Sequence, residues 1–226
     1  MLIAEDLLLL VTDDASGRLT VPAAHADAGL GGANLVELTL MHKVGLTTEQ
    51  DAGKPGRIIV RDPSPSGDQI LDGALQTVIA HQGKRPSAVI RPLSRNLRVA
   101  LYERLASSGV IRAGQGRILG IFPAQRWPAQ DASHEAQTRR LLTGALVHRA
   151  APDARSAALI ALAHALRCEH EITGPGERGL SSRQLRARAE EIAQGEWASQ
   201  AVRRAIDEMT AAVAAAISTT AAAGAG

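Results

Sequence analysis

The sequence predicts a mainly α fold in which helices surround one core and β structure is confined to short segments. Aromatic residues make up only 2% of the 226 residues, so alanine and leucine must fill the interior. This composition favours closely packed helices over a sandwich of strands. The segment DARSAALIALAHAL, which begins at Asp153, is apolar on almost every side and is typical of a central buried helix. The length allows one large domain or two small ones.

The first half of the chain alternates helical patterns with turn signals. Apolar residues at helical spacing predict two early helices, and the turn-rich stretch DDASG ends the first of them. Asp68 is predicted to cap a third helix, because its carboxylate can accept hydrogen bonds from free backbone N–H groups. In chain order the predictions are helix Leu2–Val11, helix Gly29–Met41, strands Val44–Leu46 and Arg57–Val60, and a helix from Asp68 to about His81.

The second half is predicted to contain a hairpin between helices. Ser94 is interpreted as the cap of a helix with leucines at helical spacing, and Gly109 ends that helix. Two β-like runs then meet at AGQG, which predicts a hairpin. In chain order the predictions are helix Ser94–Ser108, strands Val110–Arg112 and Arg117–Phe122, a helix from Asp131, the buried helix from Asp153, helix Ser181–Gln194, and an alanine-rich helix from about Trp197.

Basic residues are concentrated in one part of the chain. The formal net charge is only +2, yet the segment from Lys84 to Arg126 has a single acidic residue, Glu103. Its basic residues are Lys84, Arg85, Arg91, Arg95, Arg98, Arg104, Arg112, Arg117 and Arg126. Arg95 and Arg98 are three residues apart, so on one helix both can reach a single phosphate-sized target. The alternative is a solvated basic face with internal ion pairs.

Sequence motifs for catalysis and metal binding are missing or weak. No P-loop, dinucleotide fingerprint or G-x-S-x-G elbow is present, so we expect neither enzymatic activity nor a cofactor. His164, Cys168 and His170 form a candidate metal face, but a tolerated histidine beside a buried thiol is the favoured interpretation. Trp127 is interpreted as a side chain that packs against the hairpin, and the alternative is an anchor residue of an interface.

Features of secretion and membrane insertion are also missing from the sequence. The N-terminal segment MLIAEDLLLLVTDD lacks a basic start and has acidic residues before its apolar run, so it does not read as a signal peptide. No segment approaches the roughly 18 uninterrupted apolar residues that span a bilayer. We expect a cytoplasmic protein.

The order of several segments resembles the Golgi phosphoprotein 3 family. These segments are EDLLLLVTDDASGRL, GLGGANLVELTL, DPSPSGDQILDGAL and RNLRVALYERLASSGVI, while RWPAQDASHE and SAALIALAHAL resemble the bacterial branch of the family. The resemblance implies one mainly helical globular domain over residues 1–222, with central buried helices, a projecting β-hairpin and a disordered tail at 223–226. In eukaryotic members this domain binds phosphatidylinositol 4-phosphate and retains glycosyltransferases, without enzymatic activity.

The resemblance also implies site residues. Arg95 and Arg98 match the basic pair of the family's lipid pocket, whereas Pro22 and Gly31 occupy the positions of its tryptophan and its other arginine. The hairpin residues expected to contact the membrane are Ile111, Arg112, Arg117, Ile118 and Leu119. Half of the pocket is therefore absent from this chain.

Two functions are compatible with these observations. The first is a peripheral membrane adaptor at the inner face of the membrane, which binds an anionic phospholipid or phosphoinositide such as phosphatidylinositol 4-phosphate. Client proteins, and a homo-oligomer formed through the hairpin, are its candidate partners. The second is a winged-helix-like nucleic-acid-binding protein, because a helix followed by a basic hairpin has the layout of a recognition helix and wing. The apolar pattern of that helix disfavours it.

Overall fold

The computed structural model describes residues 1–118, 122–173 and 180–223, with backbone only at 115–118, 122–125 and 220–223. Within these residues the fold is mainly α, as predicted. The helices are α1 (Ile3–Leu10), α2 (Ala23–Leu40), α3 (Gln69–Ala80), α4 (Ser87–Ser94), α5 (Leu97–Ser107), α6 (Ser133–Leu146), α7 (Ala154–Leu166), α8 (Ser182–Ala193) and α9 (Gln200–Ala223). The strands are β1 (Val44–Leu46), β2 (Ile58–Val60), β3 (Gly114–Ile118) and β4 (Phe122–Arg126).

The strands form two antiparallel pairs at the edge of the helical body. In the first pair Val44 lies opposite Val60, and in the second Gly114 lies opposite Arg126. Neither pair extends into a larger sheet within the described residues. The helices therefore form most of the core, to which Val44 and Ile58 of the first pair also contribute.

Helix α2 is the axis around which the other helices pack. It contacts α1, α4, α7 and α9, and most of its residues from Ala26 onwards are buried. Its glycines allow these helices to approach closely. A Cβ atom at Gly32 would lie 2.3 Å from Cγ2 of Val213 on α9, and one at Gly31 would lie 2.8 Å from the carbonyl oxygen of Ile90 on α4. Side chains at these positions would push the neighbouring helices away.

Helices α1 and α7 complete the centre of the fold. Every residue of α1 is buried, including Glu5 and Asp6. In α7 the run from Ser156 to Ala163 and Leu166 are buried. The predicted central position of the helix that follows Asp153 is therefore confirmed.

Side-chain caps fix three helix starts where the sequence predicted them. The Asp68 carboxylate accepts hydrogen bonds from the backbone N–H groups of Ile70 and Leu71, and Asp153 accepts one from Ser156. Ser181 forms a reciprocal capping box with Gln184. Each cap satisfies backbone donors that the first turn of a helix leaves free.

The predicted helix Ser94–Ser108 is present as α5, but its predicted start is wrong because α4 ends at Ser94 and α5 begins at Leu97. Ser94 is the last residue of α4, and its hydroxyl donates to the carbonyl oxygen of Ile90 instead of capping a helix. Arg95 is extended, and Asn96 has a φ of 58°, so the chain turns before α5 begins at Leu97. Asparagine tolerates this left-handed conformation better than most residues.

The predicted hairpin register is also wrong. The segment AGQG was expected to be the turn, yet Gly114 and Gly116 lie within β3. The predicted first strand, Val110–Arg112, is not part of the hairpin. Ile111 instead forms an isolated bridge with Ala129.

Other boundaries differ by a few residues. Helix α2 begins at Ala23, six residues before the predicted start at Gly29, and α6 begins at Ser133 because Asp131 accepts a hydrogen bond from the N–H of Ser133. Helix α9 begins at Gln200. Of the predicted tail at 223–226, Ala223 ends α9 and residues 224–226 lie outside the described residues. The single-domain boundary at 222 stays a prediction.

Candidate anion-binding groove

A groove of about 890 Å³ lies between the first turns of α2, the length of α4 and the last turns of α9. Its walls combine small apolar residues with charged and amide side chains. The lining residues are Ala24, Asp27, Ala28, Ser87, Ile90, Arg91, Ser94, Arg95, Asn96, Ala215, Ala216 and Thr219. On α4 they recur at intervals of three and four residues, so a single face of this helix forms one wall.

Arg91 and Arg95 place two cations on that wall. They are four residues apart and therefore neighbours on the surface. Both side chains are exposed, and neither guanidinium has a hydrogen bond or ion pair with the part of the chain that the structure describes. Both are available to an external anion.

Arg98 does not share this wall, contrary to the expectation that it lies on one helix with Arg95. It belongs to α5, and its Nε donates to Oδ1 of Asp27 at 2.8 Å. The two side chains of this ion pair are 32% and 36% exposed. Asp27 lines the groove and Arg98 does not. The turn at Asn96 separates the two arginines, because it ends one helix and starts another.

The family pocket positions on α2 have structural roles here. Pro22 is the residue that precedes the first turn of α2. Gly31 lies where α4 crosses α2, and a Cβ atom there would be 2.6 Å from Oγ of Ser94. A long basic side chain at position 31 would require α4 to move.

Other basic residues between Lys84 and Arg126 include both unpaired side chains and side chains held in ion pairs. Lys84 and Arg85, just before α4, are exposed without side-chain partners in the described residues. Arg104, in contrast, donates to Oε1 of Glu5 at 2.8 Å and to Oδ2 of Asp68 at 2.6 Å. Internal ion pairs are therefore present for Arg98 and Arg104, whereas the cations around α4 are exposed without them.

The hairpin residues expected to contact a membrane fall into three groups. Ile111 is only 2% exposed and belongs to the core, so that part of the expectation is wrong. Arg112 is exposed. The side chains of Arg117 and Ile118 and the whole of Leu119 lie outside the described residues, so their role stays a prediction.

Trp127 is a packing residue at the base of the hairpin, as predicted. It is 7% exposed, and its ring stacks on Tyr102 with centroids 5.0 Å apart and an angle of 8° between the planes. The Tyr102 hydroxyl lies 2.9 Å from Oγ1 of Thr12. The stack ties the end of β4 to α5 and to the segment after α1.

The candidate metal face consists of structural groups. Nδ1 of His164 lies 2.9 Å from Oε1 of the buried Glu169. Burial, together with the neighbouring Glu169 and Glu171, raises the pKa of the Cys168 thiol to about 12. Among the described residues, no three His, Cys, Asp or Glu side chains are grouped to hold a metal ion. The interpretation of Cys168 as a buried thiol is confirmed.

Comparison with known proteins gives one family match. The family model described as Golgi phosphoprotein 3 (GPP34) matches residues 3–209. No curated protein matches the chain. Within the described residues, none of the helices has the length and apolar character needed to traverse a bilayer.

Proposed function

The chain belongs to the Golgi phosphoprotein 3 family, and from this membership we propose that it is a peripheral membrane adaptor that binds anionic lipid headgroups. The proposed contact surface is the α4 surface, defined by Lys84, Arg85, Arg91 and Arg95. It would face the inner leaflet of a membrane. Phosphatidylinositol 4-phosphate is the candidate headgroup that the family suggests, and a catalytic role is not proposed.

The observation that supports this proposal is the lack of intramolecular partners on the α4 surface. All four side chains are exposed, and no carboxylate within the described residues pairs with them. Lys84 and Arg85 also precede the first turn of α4, where the helix dipole disfavours cations. Helix stability therefore gives no reason for Lys84 and Arg85, whereas it does favour Arg91 and Arg95 at the C-terminal end of α4. An anionic surface would account for all four cations.

Charge supplies most of the affinity in this proposal. Near an anionic membrane each basic residue contributes about 1 kcal/mol. The planar guanidinium groups of Arg91 and Arg95 can also donate paired hydrogen bonds to phosphate oxygens. With Pro22 just before α2 and Gly31 within it, this part of the chain adds no aromatic ring and no arginine at these positions. Recognition therefore depends on α4 more than on α2.

The nucleic-acid alternative is weaker on the described surface of α5. The face that a recognition helix would present has Val99, which is 53% exposed, and the acidic Glu103. Arg104 on the same helix is held by Glu5 and Asp68. Neither feature suits the reading of base edges or the neutralisation of phosphates.

Vesicle sedimentation tests the proposal. We expect the protein to bind phosphatidylcholine vesicles that contain phosphatidylserine or phosphatidylinositol 4-phosphate, and not phosphatidylcholine alone. The double variant Arg91→Ala, Arg95→Ala should bind about 30-fold more weakly, since two contributions of about 1 kcal/mol are lost. Raising the salt from 0.1 M to 1 M should also release the protein, because the screening length falls from about 10 Å to about 3 Å.

Arg204→Ala is the matched control for this experiment. Arg204 is exposed on α9, lacks a side-chain partner in the described residues and does not line the groove. Its loss removes one unit of charge and should weaken binding far less than the double variant. A loss of about fivefold, half the free-energy change of the double variant, would show that only net charge matters. The double variant is also assayed with duplex DNA. If it loses DNA binding and retains vesicle binding, the result favours the alternative function.

A further inference from the structure

We infer that Asp27 limits the affinity of this groove for a phosphate group by acting as an internal competitor. This inference rests on the proposed function and adds a regulator of the same site. The ligand class is a phosphate ester, either on a lipid headgroup or on a soluble molecule.

The two cations of the groove wall are placed for a shared anion. Arg91 and Arg95 are one helical turn apart and both line the groove. Like charges at this spacing repel each other, and neither arginine forms an ion pair with a carboxylate in the described chain. A phosphate between them would relieve the repulsion and accept hydrogen bonds from both guanidinium groups. The volume of about 890 Å³ is ample for such a group.

Asp27 opposes this ligand in two ways. Its carboxylate lies on the groove wall, so it repels an anion that enters. It also holds the guanidinium of Arg98 through the 2.8 Å hydrogen bond from Nε, so the third arginine of this region is not free for the ligand. The ion pair thus keeps one cation outside the groove and one negative charge inside it.

The Asp27–Arg98 pair is weak enough for a ligand to compete with it. Both side chains are about one-third exposed, and ion pairs at such sites contribute little to stability because water screens them. A phosphate monoester has more negative charge and more acceptor oxygens than a carboxylate. Removal of the Asp27 charge should therefore strengthen ligand binding and should cost little stability.

The test uses the full chain with Asp27→Asn, and with Asp51→Asn as the matched control. Asp51 also pairs with an exposed arginine, since Nη1 of Arg61 lies 2.8 Å from its Oδ1, but it does not line the groove. Both variants change the net charge by the same amount. On vesicles that contain phosphatidylinositol 4-phosphate, whose 4-phosphate is a monoester, we expect Asp27→Asn to bind about fivefold more tightly than the parent and Asp51→Asn to remain close to it.

A second comparison asks whether the gain comes from Arg98. In the parent, Arg98→Ala should have a small effect, because Asp27 already holds that guanidinium. In the Asp27→Asn background, Arg98→Ala should remove most of the gain. Thermal midpoints measured on every variant separate binding from folding. Asp27→Ser, which removes the same charge, must give the same gain if Asp27→Asn fails to fold.

Soluble glycerol phosphate, titrated by calorimetry, identifies the source of the phosphate. If it binds the Asp27→Asn variant and displaces vesicles, the groove recognises the phosphate ester itself. If only vesicles bind, the ligand is the lipid headgroup at a surface. Equal effects of Asp27→Asn and Asp51→Asn, or an Arg98→Ala effect that is the same in both backgrounds, overturn the inference. A parent that binds no anionic vesicle overturns the proposed function as well.

Discussion

Arginines in this protein occupy two kinds of region, one around α1 and the other along α4. Around α1, Arg155 bonds to Oδ2 of Asp6 at 2.6 Å and to Oε1 of Glu37 at 3.2 Å, which joins α7 to α1 and α2. Along α4, Arg91 and Arg95 meet no carboxylate in the described residues. The same residue type is therefore an internal connector in one region and a free cation in the other. The difference lies in whether the fold brings a buried carboxylate to it.

The strongest test of this difference between paired and free arginines is the removal of Arg155. Its absence would leave the side chain of Glu37, which is 12% exposed, without its arginine, and that of Asp6, which is 2% exposed, with only His134 as a basic partner. We expect Arg155→Ala to lower the free energy of unfolding by about 4 kcal/mol, the cost of an uncompensated buried charge. Urea unfolding measures this value. In contrast, Arg91→Ala should change it by less than about 0.5 kcal/mol. Equal effects of the two substitutions on the free energy of unfolding would contradict the distinction between paired and free arginines.

The pH dependence of stability should come from buried carboxylates that pair with arginines. Burial raises the pKa of Glu135 to about 7, against the opposing effect of Arg139. The folded protein then binds more protons than the unfolded chain between about pH 4.5 and 7, so stability falls as the pH rises through this range. The loss is up to about 3 kcal/mol. Urea unfolding across this range should show a shallower slope for Glu135→Gln, although Glu37, whose pKa burial also raises, retains part of it.

Lysine substitutions should have a smaller effect on stability and should distinguish paired arginines from free ones. They keep the charge and change only the geometry of the side chain. Arg104 uses two different nitrogens to reach Glu5 and Asp68, which a lysine cannot do. Arg104→Lys should therefore cost about 1 kcal/mol of stability, the value of one hydrogen bond. Arg95→Lys should leave the free energy of unfolding unchanged and retain most vesicle binding, because a free cation acts mainly through its charge. A destabilised Arg95→Lys variant would assign Arg95 to the structural group.

Local signals in the sequence were sufficient for some of these elements. Asp68 was predicted to be a cap, and Asp153 and Ser181 were predicted to be helix starts, because these signals involve only the next few residues. The burial of α7 followed from its apolar pattern. Helix α4 was missed because Pro92 lies inside it, and the break at Asn96 depends on a single left-handed residue.

The site was only partly predictable for a related reason. Arg95 was singled out from its motif, and Arg91 was present in the same basic segment without being singled out. Asp27 is 71 residues from Arg98, and Glu5 is 99 residues from Arg104. Sequence spacing shows which residues share a helix face, but only the packed helices show which charges neutralise each other.

The stack of Tyr102 on Trp127 gives the protein an optical reporter at a useful place. The chain has two tryptophans, one tyrosine and one phenylalanine, so its near-ultraviolet spectrum arises from very few chromophores. One tryptophan lies against the sole tyrosine where β4 meets α5, and the other, Trp197, donates its indole N–H to the carbonyl oxygen of Ala193 near the end of α8. Circular dichroism from the stacked pair therefore reports on the joint between the hairpin and the helices without any added label.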